Sequence, residues 1–370
     1  MRIEAVELLR LRIPLVAPFR TSLGTELHRE VLLVRVAGAD AEGWGECVAF
    51  GEPFYSSEYT AGAGDVIRRH LLPRLFAHGD VSAGEVGEIL RPVRGHPMAK
   101  ASLEMAILDA ELRADGTSFG EFLGAARPAV DCGVSVGIYD DVTDLLRTVE
   151  RHVDEGYRRI KLKIEPGNDL EPVRAVRERF GEIPLQVDAN AAYVVEDAPR
   201  LAELDEFDLL LIEQPLPEED VLGHAELAKT VRTPICLDES ITSLQAAKDA
   251  IALGACSIVN IKAGRAGGYL EARRIHDFCR ESGVPVWCGG MLETGLGRAA
   301  NVALAALPGF TLPGDTSASG RYYEEDITEP FVLEDGRLSV PTGPGLGVSP
   351  LPEQLERFTL ERETHRAAAA

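Results

Sequence analysis

The chain has 370 residues, 45% of them hydrophobic, and carries 38 basic against 60 acidic side chains for a formal net charge of −22. That length can bury a large core in more than one unit, and the acidity argues against nucleic acid or an anionic membrane as partner, because both need a basic face. No apolar run reaches the ~18 residues of a membrane-spanning helix, and the opening Met1-Arg-Ile-Glu-Ala-Val-Glu reads as a strand and not a signal peptide, so a cytoplasmic protein is expected.

In chain order, Ile3–Ile13 and Val31–Val36 read as strands, and Gly43-Trp-Gly-Glu-Cys47 as another strand or turn. Ala99–Ala114 has apolar residues at helical spacing and no Gly or Pro, which predicts a helix. Pro128 and Asp131 mark a boundary, beyond which short β-branched runs alternate with amphipathic stretches. The runs predict eight strands: Gly133–Ile138, Arg159–Ile164, Leu185–Val187, Leu209–Glu213, Ile235–Leu237, Ser257–Ile261, Val284–Cys288 and Phe310–Leu312. Helices are predicted between them, among them Leu170–Phe180, Ala198–Leu204, Leu222–Thr230, Leu244–Leu253 and Tyr269–Ser282. Such alternation implies parallel pairing through right-handed crossovers, and eight units imply an α/β fold of the (β/α)8 barrel type. A doubly wound sheet is disfavoured, since no G-x-G-x-x-G follows the first strand. The expected division is 1–128 α+β, 129–320 barrel, and 321–370 returning to the first unit. That last part has strand-like pieces at Pro330–Leu333 and Leu338–Val340 and a frayed tail at Ala367–Ala370. The six cysteines form no C-x-x-C pair and read as buried free thiols.

The strand ends carry charge at a fixed interval. Asp188, Glu213 and Asp238 lie 25 residues apart, Lys163 lies 25 before Asp188, and Lys262 lies 24 after Asp238. Active sites of such barrels sit at the C-terminal ends of the strands, so these groups would line one mouth. Three crowded carboxylates suit a hard divalent cation, Mg²⁺ above all. Lys161 and Lys163 form a K-x-K and share a strand face. A nearby cation would lower a lysine's pKa toward that of a useful base. Two lysines flanking a bound carboxylate could remove and return the proton on its α-carbon, while the metal stabilises the enediolate.

Lys161-Leu-Lys163, Asp188-Ala-Asn190, Glu213-Gln-Pro215, Asp238-Glu-Ser240 and Asn260-Ile-Lys262 together resemble the enolase superfamily, in its muconate-lactonizing-enzyme-like subgroup. Pro18-Phe-Arg-Thr-Ser22, Gly43-Trp-Gly-Glu-Cys47, Tyr55-Ser-Ser-Glu-Tyr59, Gly133-Val-Ser-Val-Gly137, Gly289-Gly-Met-Leu-Glu-Thr294 and Pro313-Gly-Asp-Thr-Ser317 extend the likeness along nearly the whole chain, to the o-succinylbenzoate synthase and N-acylamino acid racemase family. The resemblance implies an α+β capping domain, made from both chain ends, on a modified barrel. It implies Mg²⁺ (or Mn²⁺ or Co²⁺) held by Asp188, Glu213 and Asp238, with Lys163 and Lys262 as the acid/base pair. Lys161 would hold a substrate carboxylate oxygen and lower the pKa of Lys163, and Asn190 and Glu239 would stand behind these groups and orient them. The substrate would be a small carboxylate: an N-succinyl amino acid, the cyclohexadiene precursor of o-succinylbenzoate in menaquinone synthesis, or both. Phe19, Arg20, Thr21, Ser22, Phe50 and Tyr55 on the cap would contact it, with Ser135 bonding the acyl arm and Gly289, Met291, Glu293 and Asp315 as further substrate-binding residues. Dipeptide epimerase and muconate-type cycloisomerase are the alternatives on the same fold. A non-catalytic barrel would be expected to show a broken ladder, and a metal hydrolase would want histidine ligands or a nucleophile. Relatives assemble as dimers or octamers, so a homo-oligomer is expected.

Overall fold

The computed structural model describes residues 1–39 and 41–367. Of the expected frayed tail, 368–370 lie outside the described residues, and Ala367 N–H donates to Glu4 O at 3.1 Å. The strands, in chain order, are β1 (Ala5–Thr21), β2 (Gly24–Ala37), β3 (Glu42–Cys47), β4 (Ala129–Asp131), β5 (Gly133–Val136), β6 (Arg159–Lys163), β7 (Leu185–Asp188), β8 (Ile212–Glu213), β9 (Ile235–Leu237), β10 (Ile258–Ile261), β11 (Val286–Cys288), β12 (Arg337–Ser339) and β13 (Thr359–Arg366). They form an antiparallel sheet in order β13-β1-β2-β3, a parallel sheet in order β11-β10-β9-β8-β7-β6-β5, and the pair β12-β4.

The antiparallel sheet joins the two ends of the chain, because β13 pairs with β1 from Ala5↔Arg366 to Leu11↔Thr359. β1 and β2 are longer than their hydrophobic runs, and their hairpin ends at Thr21↔Gly24. The ladder breaks between Pro14 and Phe19, where Pro14 and Pro18 cannot donate, and pairing resumes beyond it. Helix Pro97–Asp115 packs directly on β3. A Cβ at Gly45 would lie 2.0 Å from Ser102 O, so only glycine lets the two backbones approach. That helix is buried on nearly every side. Its Asp109 accepts from Trp44 N–H at 2.9 Å and Leu346 N–H at 2.7 Å, tying strand, helix and C-terminal segment together.

The seven parallel strands curl into a half-barrel, each paired with its neighbour in sequence. Their runs are apolar because both faces are covered. The eighth expected strand, Phe310–Leu312, is not a regular strand. Its segment makes single bridges, Val286↔Phe310 and Cys132↔Gly314, and Pro313 lacks the N–H that a continuous ladder needs. Ala198–Leu204 is likewise shorter than expected: an α-helix at Ala198–Ala202 tightens into a 3₁₀ turn at Glu203–Phe207. Pro330–Leu333 is not a strand, and Phe331 N–H is taken up by Ser319 Oγ instead. All six cysteines are free and buried. Among the described residues no helix is long and apolar enough to cross a membrane.

Candidate active site

Register sets the charged row. Lys163 pairs with Asp188 across β6 and β7, and Asp188 with Glu213 across β7 and β8. Glu213 pairs with Cys236, which places Asp238 two residues further along, just past the end of β9. The equal 25-residue interval therefore does not put the third carboxylate level with the first two. Lys262 follows the end of β10 and caps the short helix Ala263–Ala266.

The carboxylates are fully buried and reached by ammonium groups. Lys161 Nζ lies 3.1 Å from Asp188 Oδ2, 3.0 Å from Glu213 Oε2 and 2.6 Å from Asp315 Oδ2. Lys163 Nζ donates to Asp188 Oδ2 and to Asn190 Oδ1, both at 2.6 Å. Lys262 Nζ donates to Asp238 Oδ2 at 2.6 Å and to Tyr55 Oη at 2.9 Å. Lys161 lies between Asp188 and Glu213, and among the described residues no three His, Cys, Asp or Glu side chains gather as a metal-holding group. The donor set nevertheless suits a hard cation. All three are oxygen ligands, and Asp238 Oδ1 is buried without a partner, as is Glu239 Oε2 beside it.

Electrostatics follow from this packing. Burial raises Glu213 well above the carboxylate range, and Asp188 adds to it. Burial works against Asp188 too, but Lys163 and Lys161 outweigh it and hold that carboxyl low. Burial and Asp238 push Glu239 to about 7. Burial would lower Lys161 and Lys262, yet Asp315 and Glu213 for the first, and Asp238 and Tyr55 for the second, carry both above the lysine range.

Lys161, Lys163 and Lys262 reach a cavity of about 670 Å³, part of it open to solvent, while Asp188, Glu213 and Asp238 lie behind its lining. Ser135, Lys161, Lys163, Asn190, Lys262 and Asp315 line the floor; Phe19, Thr21, Phe50, Tyr55 and Met291 line the walls. Ser135 Oγ is buried without a partner. Phe50 and Tyr55 meet edge to face at 5.8 Å, as do Phe19 and Tyr322 at 6.0 Å. Four expected contacts lie elsewhere. Arg20 is held by Asp140 at 2.6 Å and Glu165 at 2.9 Å, so it pins the cap hairpin to the half-barrel. Ser22 Oγ donates to Ala189 O at 3.0 Å with the same effect. Glu293 accepts from Met291 N–H and Asn301 Nδ2 and is buried beneath its own loop. Gly289 stands behind the site: a Cβ there would lie 2.3 Å from Asn260 and 2.7 Å from Lys262 Cε, so its smallness leaves the lysine its place. Asn190 and Glu239 are joined, Nδ2 to Oε1 at 2.9 Å.

Several site residues escape the spacing argument. Arg159 lies two residues before Lys161 and binds Asp315 Oδ1 at 2.8 Å; its period-two position was the available signal. Trp287 underlies Lys161 with its ring centroid 4.8 Å from Nζ. Asn260 Nδ2 donates to Glu213 Oε1 at 2.8 Å. Arg265, almost fully buried, donates to Glu239 O and lies over the Tyr55 ring at 5.0 Å. Leu23, Gly24, Glu26, Phe54, Gly290, Leu292 and Tyr322 complete the lining. Asn190, Gln214 and Leu292 have left-handed backbones (φ 42, 37 and 55), strain of the kind that clusters at functional sites.

Comparison with known proteins fits this architecture. Residues 4–124 match the mandelate racemase/muconate lactonizing enzyme N-terminal domain, and residues 144–354 match the enolase C-terminal domain-like family. The chain belongs to the enolase superfamily and is an enzyme of that divalent-metal-dependent family. An N-succinylamino acid racemase from an Amycolatopsis species is 65% identical over 97% of this chain and 98% of its own. An o-succinylbenzoate synthase from Geobacillus kaustophilus is 47% identical over the full length of both chains. A crystal structure of an enolase superfamily member from Listeria innocua superposes with a TM-score of 0.95 at 40% identity, covering 99% of this chain and all of that one.

Proposed function

We propose that this enzyme abstracts the proton α to a carboxylate, acting as an N-succinylamino acid racemase and as an o-succinylbenzoate synthase through one set of residues. The observation that carries the reading is the pair Lys163 and Lys262. They enter one cavity from strands four positions apart in the sheet, on either side of the carboxylate row. Relatives at 45–65% identity carrying both names support it.

Asp188, Glu213 and Asp238 would hold the divalent ion, most simply Mg²⁺, which when bound supplies positive charge to the substrate carboxylate as it becomes an enediolate. Lys161, rigid between Asp315 and Glu213, is placed to hold a carboxylate oxygen. In racemisation one lysine takes the α-proton from one face and the other ammonium returns a proton to the opposite face. In the synthase reaction Lys163 takes the α-proton and gives it to the departing hydroxyl, so that water leaves. Lys262 then sits beside the charge as a cation. Asn190, bonded to both Lys163 and Glu239, fixes the aim of the base.

The same reading covers the architecture. Residues 1–128 and 321–370 act as a cap and 129–320 as a barrel, closed by the Phe310–Gly314 segment that bridges β11 to the residue before β5. A homo-oligomer in the cytoplasm, acting on small carboxylates only, accords with it.

The test is side-by-side kcat/KM for the cyclohexadiene acid and several N-succinyl amino acids, with α-proton exchange of L- and D-substrates followed in deuterium oxide. Exchange of both enantiomers together with dehydration is expected. Exchange of neither, with no dehydration, would reject the proposal.

A further inference from the structure

We propose that Glu26 makes this enzyme select among N-succinyl amino acids by side-chain charge, favouring basic side chains and disfavouring acidic ones. The inference rests on the racemase reading above. Glu26 lies on β2 opposite Phe19 and lines the cavity near the hairpin tip. It is half-buried, and among the described residues no hydrogen bond or ion pair engages its carboxylate. The other charged groups of the lining are Lys161, Lys163, Lys262 and Asp315, all on the floor, and Asp315 is neutralised by Arg159 and Lys161. Glu26 is therefore the one charge the cap presents to the cavity, set among Phe19, Leu23 and Phe54.

The floor fixes which part of the substrate meets it. The reacting carboxylate belongs with Lys161, and the α-carbon belongs between Lys163 and Lys262. Ser135 Oγ, buried and unpartnered on the floor, offers its hydroxyl to the oxygens of the succinyl arm. The side chain is left to point at the cap. An apolar stem against phenyl rings with a cationic tip at a carboxylate is the match for lysine or arginine side chains. A second carboxylate there meets a like charge in a partly dry site.

The experiment compares kcat/KM for N-succinyl-L-lysine and N-succinyl-L-glutamate in the wild-type enzyme, Glu26→Gln and Glu26→Lys, at low and high salt. The lysine-to-glutamate ratio should fall on the order of tenfold in Glu26→Gln, fall further in Glu26→Lys, and shrink with salt in the wild type. A general distortion of the pocket would lower both substrates together and leave the ratio alone. If the succinyl arm faced Glu26 instead, both substrates would gain equally. A ratio constant within about twofold, by the scatter expected of surface charge effects, overturns the inference while leaving the racemase intact. Absence of exchange for every N-succinyl amino acid in the wild type overturns the racemase reading and this inference with it.

Discussion

In the half-barrel, charged groups sit on or just past the C-terminal ends of successive strands, Lys161 and Lys163 both on β6, each held by a buried partner. In the cap, the groups facing the same cavity come from a hairpin tip and a loop, Phe19 to Glu26 and Phe50 to Tyr55, and are held by aromatic edges and two anchors, Arg20 and Ser22. On the proposed reading, the half-barrel side supplies the reacting groups and the cap side the shape that a substrate must fit. Substitutions on the first should therefore act on turnover, and those on the second on binding.

The largest effect is expected from Lys163→Ala. It would remove the base proposed for one face, and kcat for both reactions should fall by ~10³-fold or more. Lys262→Arg should stop racemisation yet leave one enantiomer exchanging its α-proton in deuterium oxide. Equal loss on both faces would break the two-sided picture. Chelation comes next. EDTA should reduce activity on the order of a hundredfold or more, and Mg²⁺ or Mn²⁺ should restore it. Activity indifferent to chelator would remove the cation from Asp188, Glu213 and Asp238.

Gly45→Ala probes how the cap is assembled, not how it binds. Its new Cβ would be driven onto Ser102 O, 2.0 Å away, and β3 and the helix must separate. A loss of about 3 kcal/mol in denaturant unfolding is expected, with kcat of the folded fraction little changed. Phe50→Ala is milder. It empties part of the cap wall and should raise KM about tenfold with kcat within a few-fold, since burial of an aromatic face contributes uniform binding. A fall in kcat as large as that of a floor variant would erase the distinction between the two regions.

The same division governs what could be read from the chain. The ladder was legible because parallel strands of similar length deliver their ends at similar intervals, and because apolar runs ending in charge are rare. Its level was not: Asp238 sits two residues beyond the row, since β8 and β9 are too short for counting to fix their offset. The eighth stave was misjudged because Pro313 breaks a ladder without breaking the apolar pattern. On the cap, motif likeness named Arg20 and Ser22 along with Phe19 and Thr21. Adjacent residues on a hairpin alternate sides, and only the register separates those that face the cavity from those that hold the hairpin down. Glu26 had no signal beyond its position in β2, as its significance lies in having no partner.

The smallest effect is expected at the seam between the regions. His152, on helix Val142–Asp154, is buried against Tyr157, and its Nδ1 lies 2.8 Å from Glu155 Oε2. Burial, then the nearby Arg321, lower its pKa from 6.5 to about 4. Arg321 in turn donates to Ser135 O at 2.6 Å and lies over Phe19 and Tyr322, so this packing joins floor to cap. The folded state holds the imidazole neutral, while the unfolded chain takes up a proton near pH 6.5. Stability from this group is present above that pH and is lost as pH falls toward 4. Between pH 6.5 and 5.5 the loss should be about 1 kcal/mol. His152→Gln, which cannot be protonated, should flatten that part of the stability–pH curve, measured by denaturant unfolding at closely spaced pH. An unchanged slope would mean that the imidazole is solvated or paired in solution, and that the seam is looser than either region it joins.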